Sequence, residues 1–334
     1  MRAMVLDSQR PVEQSPLSPR DVPLPTPGPG QIRVRVSCCG VCHTDLHIVE
    51  GDLPLHKKPI VPGHQVVGVV AALGSGTSTF KEGDRAGIVW LHSTDATCAY
   101  CRSGRENLCD NARFTGYDVD GGYAEAVVVP EAFAYRLPAR FADEHAAPLL
   151  CAGVIGYRAF RLSGAQRGQR LGLYGFGASA HIVLQVARHL GCEVHVFTRA
   201  QAHRKLASRL GATFVGDARD AASGSLDAAI MFAPAGPLVP ESLRALRKGG
   251  TVALAGITMT PIPQMDYGLI YHERALRSVA NSTRQDAREL LEIAADIPVE
   301  TSVTMFSLEQ ANAVIAAMKH SQIEGAAVLS ARER

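Results

Sequence analysis

The sequence predicts an α/β chain that combines a β-rich unit with a doubly wound parallel sheet. Three observations carry this expectation. Residues 1–151 are rich in Gly, Pro and Val and read as short strands. Residues 152–284 alternate strand, helix, strand, helix, the rhythm of a parallel sheet with crossover helices. A glycine-rich turn stands between the first strand and helix of that second zone. At 334 residues the chain also exceeds what one hydrophobic core usually covers, so two domains are expected.

In the first zone, Gln31-Ile-Arg-Val-Arg-Val36 alternates polar and apolar as a half-buried strand does. Val66–Ala71 and Ala124–Val129 are further β-rich runs, separated by turn signals such as Pro27-Gly-Pro-Gly30 and Glu82-Gly-Asp84. In the second, Arg170–Tyr174 reads as a short buried strand and Ala178–His189 as a helix, with Ile182, Val183, Val186, Ala187 and Leu190 near one face. Glu193–Phe197 is a strand again, a charged helix follows over about Ala202–Leu210, and Leu226–Phe232 and Thr251–Ala255 continue the series. The third zone, residues 285–334, is mixed. A helix is expected over Arg284–Ala295, a capping box at Ser307-Leu-Glu-Gln310 opens another, and Gly325–Leu329 reads as a strand returning to the first zone.

Composition narrows the function. The chain is 46% hydrophobic and 20% charged with a net charge of +2, so no basic surplus points to nucleic acid or an anionic membrane. No apolar run is long enough to span a bilayer, and Asp7 interrupts the N-terminus too early for a signal peptide. A cytoplasmic location is expected, and there the eight cysteines are expected in metal sites or cores rather than disulfides.

Gly175-Phe-Gly177-Ala-Ser-Ala180 fits the G-x-G-x-x-G/A dinucleotide fingerprint, with a strand before it and a helix after it. Gly175 permits the tight turn, Gly177 lets backbone approach a pyrophosphate, and Ala180 keeps helix and strand close. With Ala178 at the helix start, these are the expected pyrophosphate contacts. The acidic residue that would hold the ribose 2′-OH of NAD is missing. Phe197-Thr198-Arg199 stands in its place with Arg204 one helical turn on. A hydroxyl and guanidinium groups suit a 2′-phosphate, so NADP is expected, with NAD the alternative if Arg199 only points into solvent.

Cys98-Ala-Tyr-Cys101 is followed by Cys109 after seven residues, in a loop too polar to form a core of its own. Asp95, three residues before Cys98, is an acceptable fourth ligand for a closed zinc lobe; three unliganded thiols are the alternative. Cys42, His64 and Cys151 are scattered, and spacing alone connects them to nothing.

The whole chain resembles the medium-chain zinc alcohol dehydrogenases. The resemblance rests on Gly40-Val-Cys-His-Thr-Asp-Leu-His47, Pro62-Gly-His64, Cys98 to Cys109, Asp120-Gly-Gly-Tyr-Ala-Glu125, Leu149-Leu-Cys-Ala-Gly153 and the glycine fingerprint, in that order. It implies a GroES-like catalytic domain at 1–151, a Rossmann dinucleotide-binding domain at 152–284, and a return to the catalytic domain at 285–334. It further implies that Cys42, His64 and Cys151 hold a catalytic zinc with one position open for substrate. Asp45 would hydrogen-bond the back of His64. Thr44 would touch the alcohol oxygen and pass its proton through the cofactor ribose to His47, while His43 and Arg284 would lie near the pyrophosphate. Trp90, Leu91 and Tyr117 would line the pocket, Trp90 being equally compatible with core packing. A homo-oligomer, dimer or tetramer, is implied as well.

Two positions depart from the family pattern. Gln65 replaces the usual glutamate after the histidine ligand, and Asp95 replaces the first cysteine of the structural zinc lobe. The activity expected is reversible hydride transfer between a primary alcohol or aldehyde and NAD(P). Competing readings are a reductase of other carbonyls, such as polyol or quinone substrates, and a nucleotide-binding protein without catalysis. The ligand set Cys42, His64 and Cys151, which zinc-free quinone reductases lack, argues against a quinone reductase, and together with the Thr44–His47 relay against a protein without catalysis, for which Gln65 alone leaves room.

Overall fold

The computed structural model describes residues 1–323 and 325–331. Two compact units emerge. One contains Met1–Cys151, Thr283–Ala295 and the chain from Thr301 onward; the other contains Ala152–Ser282 and Asp296–Glu300. The third zone is therefore not uniform. Asp296–Glu300 belongs with the second unit, where Glu300 N donates to Gln185 Oε1 at 2.8 Å and Gln185 Nε2 donates to the Glu300 carbonyl at 3.1 Å.

The first unit is built on a seven-stranded sheet with the order Val303–Ser307, Ala326–Ser330, Gln31–Val41, Gln65–Leu73, Arg85–Ile88, Ala134–Arg136, and with Ala126–Pro130 also paired to Gln31–Val41. The strand expected near residues 325–329 does return to the first zone, pairing antiparallel with Val328 opposite Gly40. Strand Gln31–Val41 runs five residues further than its alternation suggested. Its last six residues are buried without a break, so alternation is lost where both faces are covered. The antiparallel register sets Gly40 opposite Gln65 and Cys39 opposite Val66. Cys42, just past one strand, therefore comes beside His64, just before the next.

The turn that carries His64 is closed by backbone. Gly121 N donates to Val61 O at 2.7 Å, Gly122 N to Gly63 O at 2.8 Å and Tyr123 N to Pro62 O at 2.9 Å. A Cβ on Gly121 would lie 2.0 Å from Gly63 O, a close approach that only glycine permits. Cys151 follows the fully buried turn Ala147–Leu150. Leu150 packs on the strand Arg85–Ile88, where a Cβ on Gly87 would meet its methyl groups at 2.8 and 3.1 Å.

The second unit is a six-stranded parallel sheet in the order Phe214–Gly216, Glu193–Phe197, Arg170–Tyr174, Leu226–Met231, Leu246–Leu254, Ala275–Ser278. Numbered by sequence this is 3-2-1-4-5-6, the dinucleotide-binding arrangement, with its switch point beside Arg170–Tyr174. The helix Ala178–His189 buries Ile182, Val183, Leu184, Val186 and Ala187. Two boundaries move from their expected places. The charged helix is Gln201–Arg209. The strand expected at Thr251 begins at Leu246, which pairs with Leu226 across a register shift; an irregular start carrying Lys248-Gly-Gly250 has no period to read.

Candidate metal centres and nucleotide turn

Cys42, His64 and Cys151, far apart in sequence, bring their ligand atoms within 4.8 Å of one another. His64 Nε2 lies 3.4 Å from each sulfur, and the sulfurs are 3.8 Å apart. Local structure fixes each donor. Cys42 is the N-cap of the helix His43–Glu50, its extended backbone (φ −142°, ψ 178°) turning Sγ to accept from Thr44 N at 3.4 Å. Asp45 completes the capping box, one carboxylate oxygen accepting from Cys42 N at 2.9 Å. Its other oxygen faces His64 Nδ1 at 3.3 Å. Asp45 and His64 are 0% and 1% exposed, so this carboxylate both starts the helix and stands behind the imidazole.

The electrostatics are those of a site that binds a cation. Burial alone would lower the pKa of His64, but the charges of Cys42 and Asp45 outweigh it and push it up to about 10. The Cys42 thiol falls well below its ordinary value, through the hydrogen bond from Cys151 first and then through His64, against burial. The Cys151 thiol rises, as the partner that keeps the shared proton and is buried. A soft donor set of two sulfurs and one imidazole fits zinc, which displaces those protons when it binds.

Tyr123, inside the string Asp120–Glu125, is a site residue that its spacing does not reveal. It is fully buried, and its ring lies where a Cβ on Gly63 would come within 2.4 Å. Burial first, then the charge of Asp45, raise its phenol well above the ordinary value, so it stays a neutral donor next to the carboxylate. Gln65 is 3% exposed and lies across Gly40, where a Cβ would meet its Oε1 at 2.7 Å. It is a neutral amide in a buried slot, and its Nε2 has no hydrogen-bond partner among the described residues.

Of the expected pocket residues, Trp90 stands edge-on to His64 with ring centroids 5.0 Å apart, and stacks on Phe114 at 5.1 Å and Tyr117 at 5.8 Å. The Tyr117 hydroxyl donates to Pro54 O at 2.7 Å. Leu91 differs from expectation. It is 1% exposed and belongs to the hydrophobic core, because successive residues of an extended chain point to opposite faces. His43 is exposed and Thr44 half-buried. His47 Nδ1 lies 2.7 Å from Asp52 Oδ2.

The second cluster unites Asp95, Cys98, Cys101 and Cys109. Asp95 Oδ1 accepts from Thr97 N and Cys98 N at 2.9 Å each, and Oδ2 accepts from Asn111 Nδ2 at 3.0 Å. Bonds from Cys98, Asn111 and Thr97 hold this carboxylate well below its usual range. The Asp-plus-three-Cys set, its ligand atoms gathered within 4.8 Å of one another, fits zinc as a closed site.

In the second unit, Gly175 turns the chain with φ +89°, and a Cβ there would lie 2.8 Å from Ala233 N. Gly177 caps the helix Ala178–His189 without a side-chain bond, and a Cβ on it would meet nothing within 4 Å. The protein itself does not require glycine at 177. The open space and uncapped helix N-terminus fit a pyrophosphate. Ala180 is fully buried. Thr198 is mostly buried, Arg199 is exposed, and Arg204 Nε donates to the Thr198 carbonyl at 2.8 Å. Arg284 is tied within the first unit, its N and Nε reaching Glu106 Oε1 at 3.0 and 3.2 Å and its guanidinium 4.9 Å from the Phe133 ring.

A parallel sheet of the dinucleotide type and a unit with two sulfur-rich ligand clusters define a class, the metal-binding nicotinamide oxidoreductases. Residues 28–139 match the alcohol dehydrogenase GroES-like domain and residues 180–296 the zinc-binding dehydrogenase domain. The chain is 48% identical over 325 residues to the probable alcohol dehydrogenase AdhA of Mycobacterium tuberculosis, covering 96% of this chain and 94% of that one. An alcohol dehydrogenase of Geobacillus stearothermophilus is 35% identical over 338 residues, covering 98% and 99%. A cinnamyl alcohol dehydrogenase structure from Sorghum bicolor superimposes with a TM-score of 0.89 at 27% identity, covering 99% and 97%. The chain belongs to the medium-chain zinc-dependent alcohol dehydrogenase family.

An Asp45→Asn variant is expected to bind zinc at the Cys42–His64–Cys151 site roughly 10- to 100-fold more weakly, measured by competition with a chromophoric chelator. The zinc of the Asp95 lobe should stay bound.

Proposed function

We propose that the protein catalyses reversible hydride transfer between a primary alcohol or aldehyde and a nicotinamide dinucleotide, with NADP preferred. The observation that carries this reading is the convergence of Cys42, His64 and Cys151 on one point with Asp45 behind the imidazole. Those three side chains would hold zinc, which when bound supplies the Lewis acidity that acidifies an alcohol or polarises a carbonyl. The chain's own groups do the rest. Asp45 keeps the His64 ring oriented through Nδ1. Thr44 takes the hydroxyl proton of the alcohol and passes it outward, and His47 receives it. The aromatic wall of Trp90, Phe114 and Tyr117 favours an apolar substrate over a polyol. The turn at Gly175–Ala180 cradles the pyrophosphate.

The preference for NADP is supported by Thr198 and Arg199 at the end of the second strand, where no carboxylate stands to repel a 2′-phosphate. The Arg204 bond to the Thr198 carbonyl holds a second guanidinium there. A cytoplasmic location is supported by the gathering of Cys42, Cys98, Cys101, Cys109 and Cys151 in metal-ligand clusters rather than disulfides. Among the described residues no helix is long and apolar enough to cross a membrane. A homo-oligomer is supported by the strand Ala275–Ser278 at the end of its sheet, largely exposed, and by Ile257, Tyr267 and Tyr271, which are 57%, 69% and 56% exposed.

The deciding experiment is cofactor oxidation with a panel of small and aromatic aldehydes, run with NADPH and NADH before and after zinc chelation. Turnover that disappears with the metal and returns with zinc is expected, faster with NADPH; turnover surviving complete metal removal overturns the mechanism. A Thr198→Asp, Arg199→Ala double variant is expected to weaken NADPH binding roughly tenfold or more, the worth of one or two charge-assisted hydrogen bonds. Unchanged NADPH affinity removes the 2′-phosphate assignment. Light scattering should give a dimer or tetramer, and a monomer at micromolar concentration excludes the oligomer.

A further inference from the structure

The proposed proton acceptor has a partner that no motif singled out. His47 lies in the last turn of the helix His43–Glu50, and its Nδ1 is 2.7 Å from Asp52 Oδ2. The imidazole is 17% exposed and the carboxylate 60%, so the pair runs from the half-buried helix face to open water.

Backbone builds this contact. Gly51 ends the helix with φ +99°, and the N–H groups of Gly51 and Leu53 both donate to the His47 carbonyl at 3.1 Å. The chain is thereby folded back, and Asp52 sits beside the ring five residues before it. Gln9 pins the bend from outside, its Nε2 donating to the carbonyls of Ile48 and Leu53 at 2.6 Å each. The carboxylate is thus positioned by a braced turn rather than by a mobile tail.

An imidazole whose Nδ1–H is given to a carboxylate presents Nε2 as its acceptor. We infer that Asp52 is a positioning residue for proton release, holding the His47 Nδ1–H so that Nε2 takes the proton leaving the alcohol. The inference rests on the reading of His47 as the outer member of the proton path. In oxidation the oxidised nicotinamide dinucleotide, when bound, would supply the acceptor for the carbinol hydride. The hydroxyl proton passes by way of Thr44 to His47 Nε2. The imidazolium, opposed by the Asp52 carboxylate, then loses a proton to solvent water. Aldehyde reduction runs the same steps in reverse.

The test uses the zinc-loaded enzyme in single-turnover alcohol oxidation. Asp52→Asn keeps size and shape while removing charge. It is expected to slow the single turnover roughly two- to fivefold, the range of a solvent-exposed ion pair, with alcohol and dinucleotide affinities and zinc content unchanged. Asp52→Glu should recover most of the rate. Added imidazole buffer should accelerate the Asp52→Asn variant and leave the native enzyme unaffected. If Asp52→Asn turns over at the native rate while His47→Ala is slowed, the pairing has no role in proton release. If His47→Ala also turns over at the native rate, the proton path itself is wrong and the role of Asp52 falls with it. Loss of zinc or of substrate affinity in Asp52→Asn would assign the carboxylate to folding instead.

Discussion

The carboxylate of Asp45 is the contact on which the first unit's chemistry depends. One of its oxygens closes the capping box on Cys42 N, and the other faces His64 Nδ1, so a single side chain joins the first turn of a helix to a residue 19 positions on. An ionised carboxylate fully out of water costs several kcal/mol unless it is paired and hydrogen-bonded. Here the Cys42 N–H and the nearby His64 imidazole compensate that cost in part, and burial still raises the Asp45 carboxyl above its ordinary value. The Cys42 thiolate adds further negative charge close to the imidazole, with Cys151 donating to it. Such a cluster takes up protons or a divalent cation, and the charges of Cys42 and Asp45 push His64 up to about 10 against its burial.

Around that charge the backbone is packed tighter than side chains would allow. The segments 61–63 and 121–123 are joined by three hydrogen bonds, and a Cβ on Gly63, Gly116 or Gly121 would fall within 3.0 Å of a neighbouring atom. Close-packed interiors resist displacement, so the turn that presents His64 keeps its place. The Asp95 lobe works differently. Its polar loop has little core to hold it, and four donor groups with their hydrogen bonds take over that organising role.

Much of this was legible in the chain. Strand and helix periodicity placed the sheet of the second unit and the helix Ala178–His189 at its observed bounds, because those elements bury one face. Legibility failed where both faces are covered, as in Ser37–Val41, or where a strand starts irregularly, as at Leu246. In the candidate site, Asp95, Cys98, Cys101 and Cys109 were legible from spacing, since a metal lobe is local. Tyr123 and Asp52 were not. The first reaches Asp45 from a segment distant in the chain, and the second meets His47 only through the turn at Gly51.

By itself, the sequence determined which chemical groups are available: thiols, an imidazole, a carboxylate three residues after a cysteine, and a glycine turn ahead of an apolar helix. Capping boxes, turns and periodicity are interactions between near neighbours, and near neighbours are written in order. Only the tertiary structure decided that Cys42, His64 and Cys151 share one point, that Leu91 belongs to the core while Trp90 meets His64, and that Asp296–Glu300 packs with the second unit. These depend on strand register and on which faces are buried, and both are settled by the packing of residues far apart in the chain.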